Sequence, residues 1–182
     1  MNIAFDIDGV LADTHLILAE FVLNNYGIDV TPICNKFDYP IPGITTVELH
    51  EIYRKLILEK SYKIPPYISS LAALLHFHFT KAVNLHFVTA RQEGLKDITV
   101  EWLKEWLKVP FTVDIGIESD KKGEHLKSLG FDAFVEDRFQ TAIDLSTKIE
   151  HTFLLNRPWN KGREVPEKVK RISSLQEIEP YL

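Results

Sequence analysis

Two rhythms of apolar and polar positions divide this chain. Ile3, Phe5 and Ile7 alternate with Ala4 and Asp6, and the run stops at Gly9, which predicts a short buried strand leading into a tight loop. Leu16, Ala19, Phe21, Val22, Leu23 and Tyr26 then recur at helical spacing as far as Gly27, a residue suited to ending a helix. Between 28 and 46 the pattern is lost: Pro32, Pro40, Pro42 and Gly43, with Phe37 and Tyr39 among them, predict irregular structure. Leu49, Ile52, Tyr53 and Leu56 restore the helical period, Pro65-Pro66 interrupts it, and Ile68, Leu71, Ala72 and Leu75 open another helix.

From residue 83 the two rhythms alternate. Val83 to Thr89 reads as a strand, and behind it Leu95, Ile98, Trp102, Leu103, Trp106 and Leu107 mark one face of a helix whose other face carries Lys96, Asp97, Glu101, Lys104, Glu105 and Lys108. Phe111 to Ile117 reads as a strand, Lys122 to Leu129 as a helix ended by Gly130, and Ala133 to Val135 as a strand running into Glu136-Asp137. A helix over 139–147 and a strand from His151 to Leu155 follow; the tail after Asn156 is polar and carries no clear period. Strand and helix in alternation predict an α/β fold, a doubly wound parallel sheet with helices on both faces. The first strand must join that sheet across a gap of about 65 residues, too long for a plain crossover and furnished with helices of its own. The expected organisation is therefore a core of residues 1–13 and 81–182, with a small helical cap of residues 14–80 inserted after the first strand.

Composition narrows the classes of function. At 182 residues with 45% hydrophobic content, the chain can bury roughly 70% of its unfolded surface. The net charge of -5 argues against a nucleic-acid polymer as partner, because phosphate contacts along a polymer need a basic face; a small anionic ligand stays open if positive charge is focused locally. Cys34 is the single cysteine, which rules out an intrachain disulfide and suits a reducing compartment. The opening carries no leader-like pattern, and apolar runs fall short of a membrane span, so a soluble cytoplasmic protein is expected.

The candidate chemistry begins at Asp6 and Asp8, which a strand ending at this point would bring out together at its carboxyl end, the edge where open α/β sheets bind ligands. Two carboxylates crowded there call for a divalent cation or a shared proton. An EF-hand loop is excluded: with Asp6 in first place, its fifth, sixth and twelfth places hold Val10, Leu11 and Ile17, none of them the required ligand or glycine.

Four pieces in order, Asp6-Ile-Asp8-Gly9-Val10, Val88-Thr89-Ala90-Arg91, a lysine at Lys121-Lys122, and Val135-Glu136-Asp137-Arg138, resemble the four motifs of the haloacid dehalogenase superfamily of phosphohydrolases, whose core is Rossmann-like. The resemblance covers most of residues 1–160. Within the superfamily the chain is similar to the 5'(3')-deoxyribonucleotidase group and its nucleotidase relatives, on the strength of Asp8-Gly-Val-Leu-Ala-Asp13, Thr89-Ala-Arg-Gln92, Glu136-Asp-Arg138 and Leu155-Asn-Arg-Pro-Trp-Asn160. Glu136 departs from the Asp-Asp pair common in that group.

The resemblance implies a phosphatase working through an aspartyl-phosphate on Asp6, with Asp8 as acid toward the leaving alcohol and then as base toward water. It implies Thr89 as a hydrogen bond to a phosphoryl oxygen and a lysine completing the charge clamp. Lys122 is preferred on spacing to Glu136, and Lys121 is the runner-up. Ala90, Arg91 and Lys121 are the expected substrate contacts; Mg²⁺ is the expected cofactor, held by Asp6, the Asp8 backbone carbonyl and Asp137, with Glu136 orienting a bound water. The favoured substrate is a nucleoside monophosphate. The alternatives are another small phosphate ester, such as a sugar or hydroxy-acid phosphate, and a non-catalytic domain that binds a phosphorylated ligand. Neither a membrane nor a polymer partner is expected, and the sequence leaves monomer and homodimer both open.

Other signals are set aside. The spacing of His76, His78 and His86 fits neither a helical pair nor a zinc finger. Trp102 and Trp106 share an apolar helical face and read as core, and Cys34 reads as an inert cap residue. Phe37, Tyr39, Tyr53, Tyr62 and Tyr67 belong to the expected cap, where most would pack its core and one or two could meet a base. Arg91 and Arg138 flank motif positions, open to a phosphate contact or a structural ion pair.

Overall fold

The apolar run at the start forms strand β1 (Ile3–Phe5), buried on both faces and placed in the middle of a six-stranded sheet. The structure, a computed structural model, describes residues 1–30 and 41–182. The other strands are β2 (Leu85–Thr89), β3 (Phe111–Ile115), β4 (Ala133–Glu136), β5 (His151–Leu155) and β6 (Val169–Ile172). Their order is β3-β2-β1-β4-β5-β6, and every pairing is parallel. Register places Phe5 beside both Phe87 and Val135. The chain leaves β1 toward β2 on one side and returns with β4 on the other, so the carboxyl end of β1 is the topological switch point, where such sheets open a crevice.

Helices cover both faces. Those described are α1 (Thr14–Tyr26), α2 (Thr46–Lys60), α3 (Ile68–Lys81), α4 (Lys96–Leu107), α5 (Lys122–Ser128) and α6 (Phe139–Leu145). Strand alternation sorts the core: Ile3, Phe5, Phe87, Val135 and Phe153 pack with Phe77 of α3 and Trp102 and Leu103 of α4, while Ala4, Val88 and Phe134 pack with Leu126 of α5 and Leu145 of α6. None of the described helices is long and apolar enough to cross a membrane.

Local signals account for most boundaries. Asp13 caps α1 by accepting from the Leu16 N–H (3.1 Å), and Gly27 ends it in the left-handed conformation, φ 66°. Thr45 and Glu48 form a capping box at the start of α2. The residues preceding and following the inserted helices lie side by side: the Asp13 N–H donates to Pro65 O (2.9 Å) and the Tyr67 N–H to Leu11 O (2.8 Å).

The structure departs from the sequence reading in three places. On α1 the buried face is Thr14, Ile17, Leu18 and Val22, whereas Leu16, Leu23 and Tyr26 are exposed; the helix is apolar most of the way round, so its period could not say which side faces inward. The unread tail supplies β6 and a 3₁₀ segment, Leu175–Tyr181, with Val169, Ile172, Leu175 and Ile178 buried. A buried edge strand of four residues is too short for a polar-looking tail to advertise. Tyr62, expected among the cap aromatics, is exposed. The readings at Pro32, Cys34, Phe37, Tyr39 and Pro40 lie outside the described residues. Within the span expected as the cap, α1 packs on α2, and α3 is tied to the carboxyl-terminal turn by a hydrogen bond between His76 and Glu179 (3.3 Å) and an ion pair of Lys81 with Glu179 (3.2 Å).

Candidate active site

The carboxyl ends of β1 and β4 meet at the switch point and bring three acidic side chains together. Asp6 directly follows β1, Glu136 ends β4 and Asp137 follows it; their carboxylate oxygens can lie within 4.8 Å of one another, and all three are buried. Lys122, the first residue of α5, reaches in from the far side with its side chain 1% exposed, its Nζ 2.9 Å from Asp6 Oδ2 and 3.1 Å from Glu136 Oε2. The other Asp6 oxygen accepts the Ile7 N–H at 2.8 Å. Glu136 Oε1 accepts the N–H groups of Asp137 (3.0 Å) and Arg138 (3.1 Å), which fixes its carboxylate.

The loop after Asp6 is closed tightly, with the Leu11 and Ala12 N–H groups both donating to Ile7 O and the Gly9 N–H to Ala12 O. Gly9 is required twice over. Its φ is +76°, and a Cβ there would stand 2.1 Å from Asp137 Oδ2, so a side chain would push the acidic residue out of place.

Charge balance shapes the site. One lysine faces three carboxylates among the described residues, and all four side chains are buried. Burial, aided by Glu136 and Asp8 and only partly offset by Lys122, pushes the Asp6 carboxyl up to about 7. Burial, with Glu136 and Asp6 adding to it, also pushes Asp137 well above the usual carboxylate range. For Glu136 burial works the same way, but the charge of Lys122 and the hydrogen bonds it receives prevail and hold it below. Burial opposes the charge on Lys122, yet Asp6 and Glu136 more than compensate and keep it protonated. Three hard oxygen donors with one compensating cation are what a small divalent ion fits, since it would supply the positive charge the cluster lacks.

Around this cluster stands a second group of contacts. Thr89, at the end of β2, is buried, and its Oγ1 accepts the Arg91 N–H at 3.3 Å. Asp8 does not join the carboxylate cluster: β1 ends at Phe5, and the Asp8 side chain turns to Arg91, which grips it with Nε to Oδ2 at 2.9 Å and Nη2 to Oδ1 at 2.7 Å. Ala90 is exposed beside it. Of the two adjacent lysines only Lys122 enters the site; Lys121 is exposed and pairs with Glu118. Arg138 donates to Ser119 Oγ at 3.0 Å. The discounted histidines stand apart: His76 pairs with Glu179, His78 hydrogen-bonds with Val83 O, and His86 with Thr112 and Asp114.

Sequence reasoning gave no role to Arg157, Trp159 and Asn160, although it singled out their stretch. The 3₁₀ turn Pro158–Asn160 puts Trp159 Nε1 2.8 Å from Asp137 Oδ2, while Asn160 Nδ2 donates at 2.7 Å to both Asp137 O and Leu155 O. Arg157 donates to Gly9 O at 2.5 Å and stacks 3.7 Å from the Tyr67 ring, whose hydroxyl donates to Asp13 at 2.9 Å. This turn thus braces Asp137, the Gly9 loop and the Tyr67 linker together.

No protein-family model matches the chain. It is similar to a nucleotidase of Clostridium acetobutylicum, 24% identical over 166 residues that cover 88% of this chain and 83% of the other. Among solved structures it resembles a protein of Lactobacillus plantarum proposed to be a phosphoglycolate phosphatase (TM-score 0.65, 14% identity, 100% of this chain and 98% of that one). It also resembles YfnB of Bacillus subtilis, solved bound to magnesium and assigned to the haloacid-dehalogenase-type hydrolases (TM-score 0.60, 12% identity, 100% and 97%). The six-stranded parallel sheet flanked by helices is the Rossmann-like core of those proteins, and the fold of this chain is theirs.

Proposed function

We propose that the chain is a Mg²⁺-dependent phosphomonoester hydrolase working through Asp6, and that its substrate is a nucleoside monophosphate. The observation that carries the reading is the seat of Asp6: a buried carboxylate at the switch point, 2.9 Å from a buried lysine and clustered with Glu136 and Asp137. Asp6 attacks phosphorus and the bond to the leaving oxygen breaks, while Asp8 delivers its proton to that oxygen; Asp8 then takes a proton from water, whose oxygen attacks the aspartyl-phosphate and frees Asp6 and phosphate. Lys122 neutralises charge on the phosphoryl oxygens and Thr89 donates to one of them. Asp6 and Asp137 with the Asp8 carbonyl, and with Glu136 behind them, would hold Mg²⁺, which would supply further positive charge toward the phosphoryl group. Helices α1 and α2 form the cap, entered at Asp13 and left through Pro65 and Pro66.

The nucleotide assignment is supported by the likeness to the clostridial nucleotidase over most of both chains. A second reading, the same chemistry on a sugar or hydroxy-acid phosphate, draws on the structural likeness to the L. plantarum protein. Phosphate release from ribo- and deoxyribonucleoside monophosphates beside sugar phosphates, with Mg²⁺ and with chelator, decides between them. Preference for nucleotides, lost in Asp6→Asn, supports the first; release from other esters alone supports the second. A ligand-binding domain would release nothing while retaining affinity.

A further inference from the structure

Arg91 stands beside the site with all three of its guanidinium nitrogens engaged by protein side chains. Its guanidinium side chain is 2% exposed, and Nε and Nη2 are both committed to the Asp8 carboxylate. Nη1 donates to Thr99 Oγ1 at 3.3 Å, the ring of Trp102 lies 5.9 Å away, and the Trp102 indole N–H is itself held by Ile64 O at 3.0 Å. The Arg91 backbone is pinned as well, its N–H on Thr89 and its carbonyl accepting from the Gly116 N–H at 2.8 Å. A buried guanidinium seated this way is rigid before any ligand arrives, and its two parallel bonds set the plane and the reach of the carboxylate they grip. Asp8, by contrast, sits on a loop with its side chain 33% exposed.

We infer that Arg91 is a positioning residue for Asp8 rather than a phosphate contact, and that its main service is to the second half of the reaction, in which Asp8 receives a proton from the attacking water. This rests on the reading of Asp6 as nucleophile and Asp8 as acid and base. The fork can only donate, so it holds both oxygens of Asp8 as acceptors, the form that takes a proton. The bond made is water oxygen to phosphorus, the bond broken is phosphorus to Asp6 oxygen, and the proton goes to Asp8.

The test uses p-nitrophenyl phosphate, whose leaving group departs without a proton, so that formation of the aspartyl-phosphate does not need Asp8. In Arg91→Met, shaped like the arginine stem but lacking the fork, a burst of p-nitrophenol matching the number of sites is expected. It should be followed by turnover about a hundredfold below wild type, the scale of a displaced proton-transfer group, with kcat/KM for the ester within twofold because formation of the adduct is untouched, so that KM falls in step with turnover, and with the phosphoryl adduct found on Asp6 by mass spectrometry. Arg91→Lys, which keeps the charge and loses the fork, should show the same pattern more weakly, and it carries the test if Arg91→Met does not fold. Burst and steady state falling together, a raised KM with unchanged turnover, or no adduct would overturn the inference. Absence of release by the wild type would remove the functional reading itself, an outcome told apart because it needs no variant.

Discussion

Replacing Asp6 should make the metal-free protein more stable. Asp6 is buried against Glu136 and Asp137, with Lys122 the one cation among them in the described residues, and its carboxyl is pushed from 3.8 to about 7. Holding it ionised in the fold above that pH costs about 4 kcal/mol relative to the unfolded chain. In Asp6→Asn the amide keeps the shape but faces the Ile7 N–H on one side and Lys122 on the other, so one polar contact becomes donor against donor, at about 1–2 kcal/mol. The net expectation is a gain of about 2 kcal/mol in chelator at about pH 8, or about 4–8 °C in Tm for a chain of this size. The sign follows from the proton count. The folded state holds the Asp6 proton more tightly than the unfolded one, so this contribution is fully present below about pH 3.8 and is lost as pH rises through about 7. Urea unfolding of both proteins across that window, in chelator, should show wild type losing stability relative to Asp6→Asn as pH rises. Adding Mg²⁺ should reverse the order at high pH, because only the carboxylate offers the ion full charge. Parallel pH curves, or a variant less stable than wild type at about pH 8 in chelator, would refute the reasoning that desolvation and repulsion outweigh the Lys122 pair.

Lys122→Met leaves Asp6 and Glu136 without their shared cation and should cost about 3–5 kcal/mol in chemical denaturation at neutral pH, whereas exposed Lys121→Met should stay within about 0.5 kcal/mol. Gly9→Ala forces a left-handed φ on a residue with a Cβ and drives that atom against Asp137; the Mg²⁺-induced rise in Tm should shrink markedly, and an unchanged rise would count against Asp137 as a ligand. Asn160→Ala orphans the carbonyls of Asp137 and Leu155, an expected loss of about 2–3 kcal/mol in urea unfolding.

The strand that ends at Asp6, the alternation behind residue 83 and the amphipathic α4 could all be read from the chain, because periodicity and turn residues are local properties. The resemblance carried by short motifs singled out Asp6, Glu136, Asp137 and a lysine at Lys121-Lys122 as candidates, with Lys122 preferred on spacing, since each motif sits where a strand stops or a helix starts. Folding decided which lysine turned inward: Lys121 and Lys122 differ by one helical step, and only the second points at the gap between β1 and β4. It decided that Asp8 belongs to Arg91, 83 residues away, and that Arg157 holds Gly9 across 148 residues. It also decided which side of the broadly apolar α1 is buried and that a polar tail yields an edge strand. The division has a physical cause. A short window of sequence sets backbone conformation and face, but the partner of a polar group depends on which strands the sheet places next to one another, and that is settled only when the whole core packs.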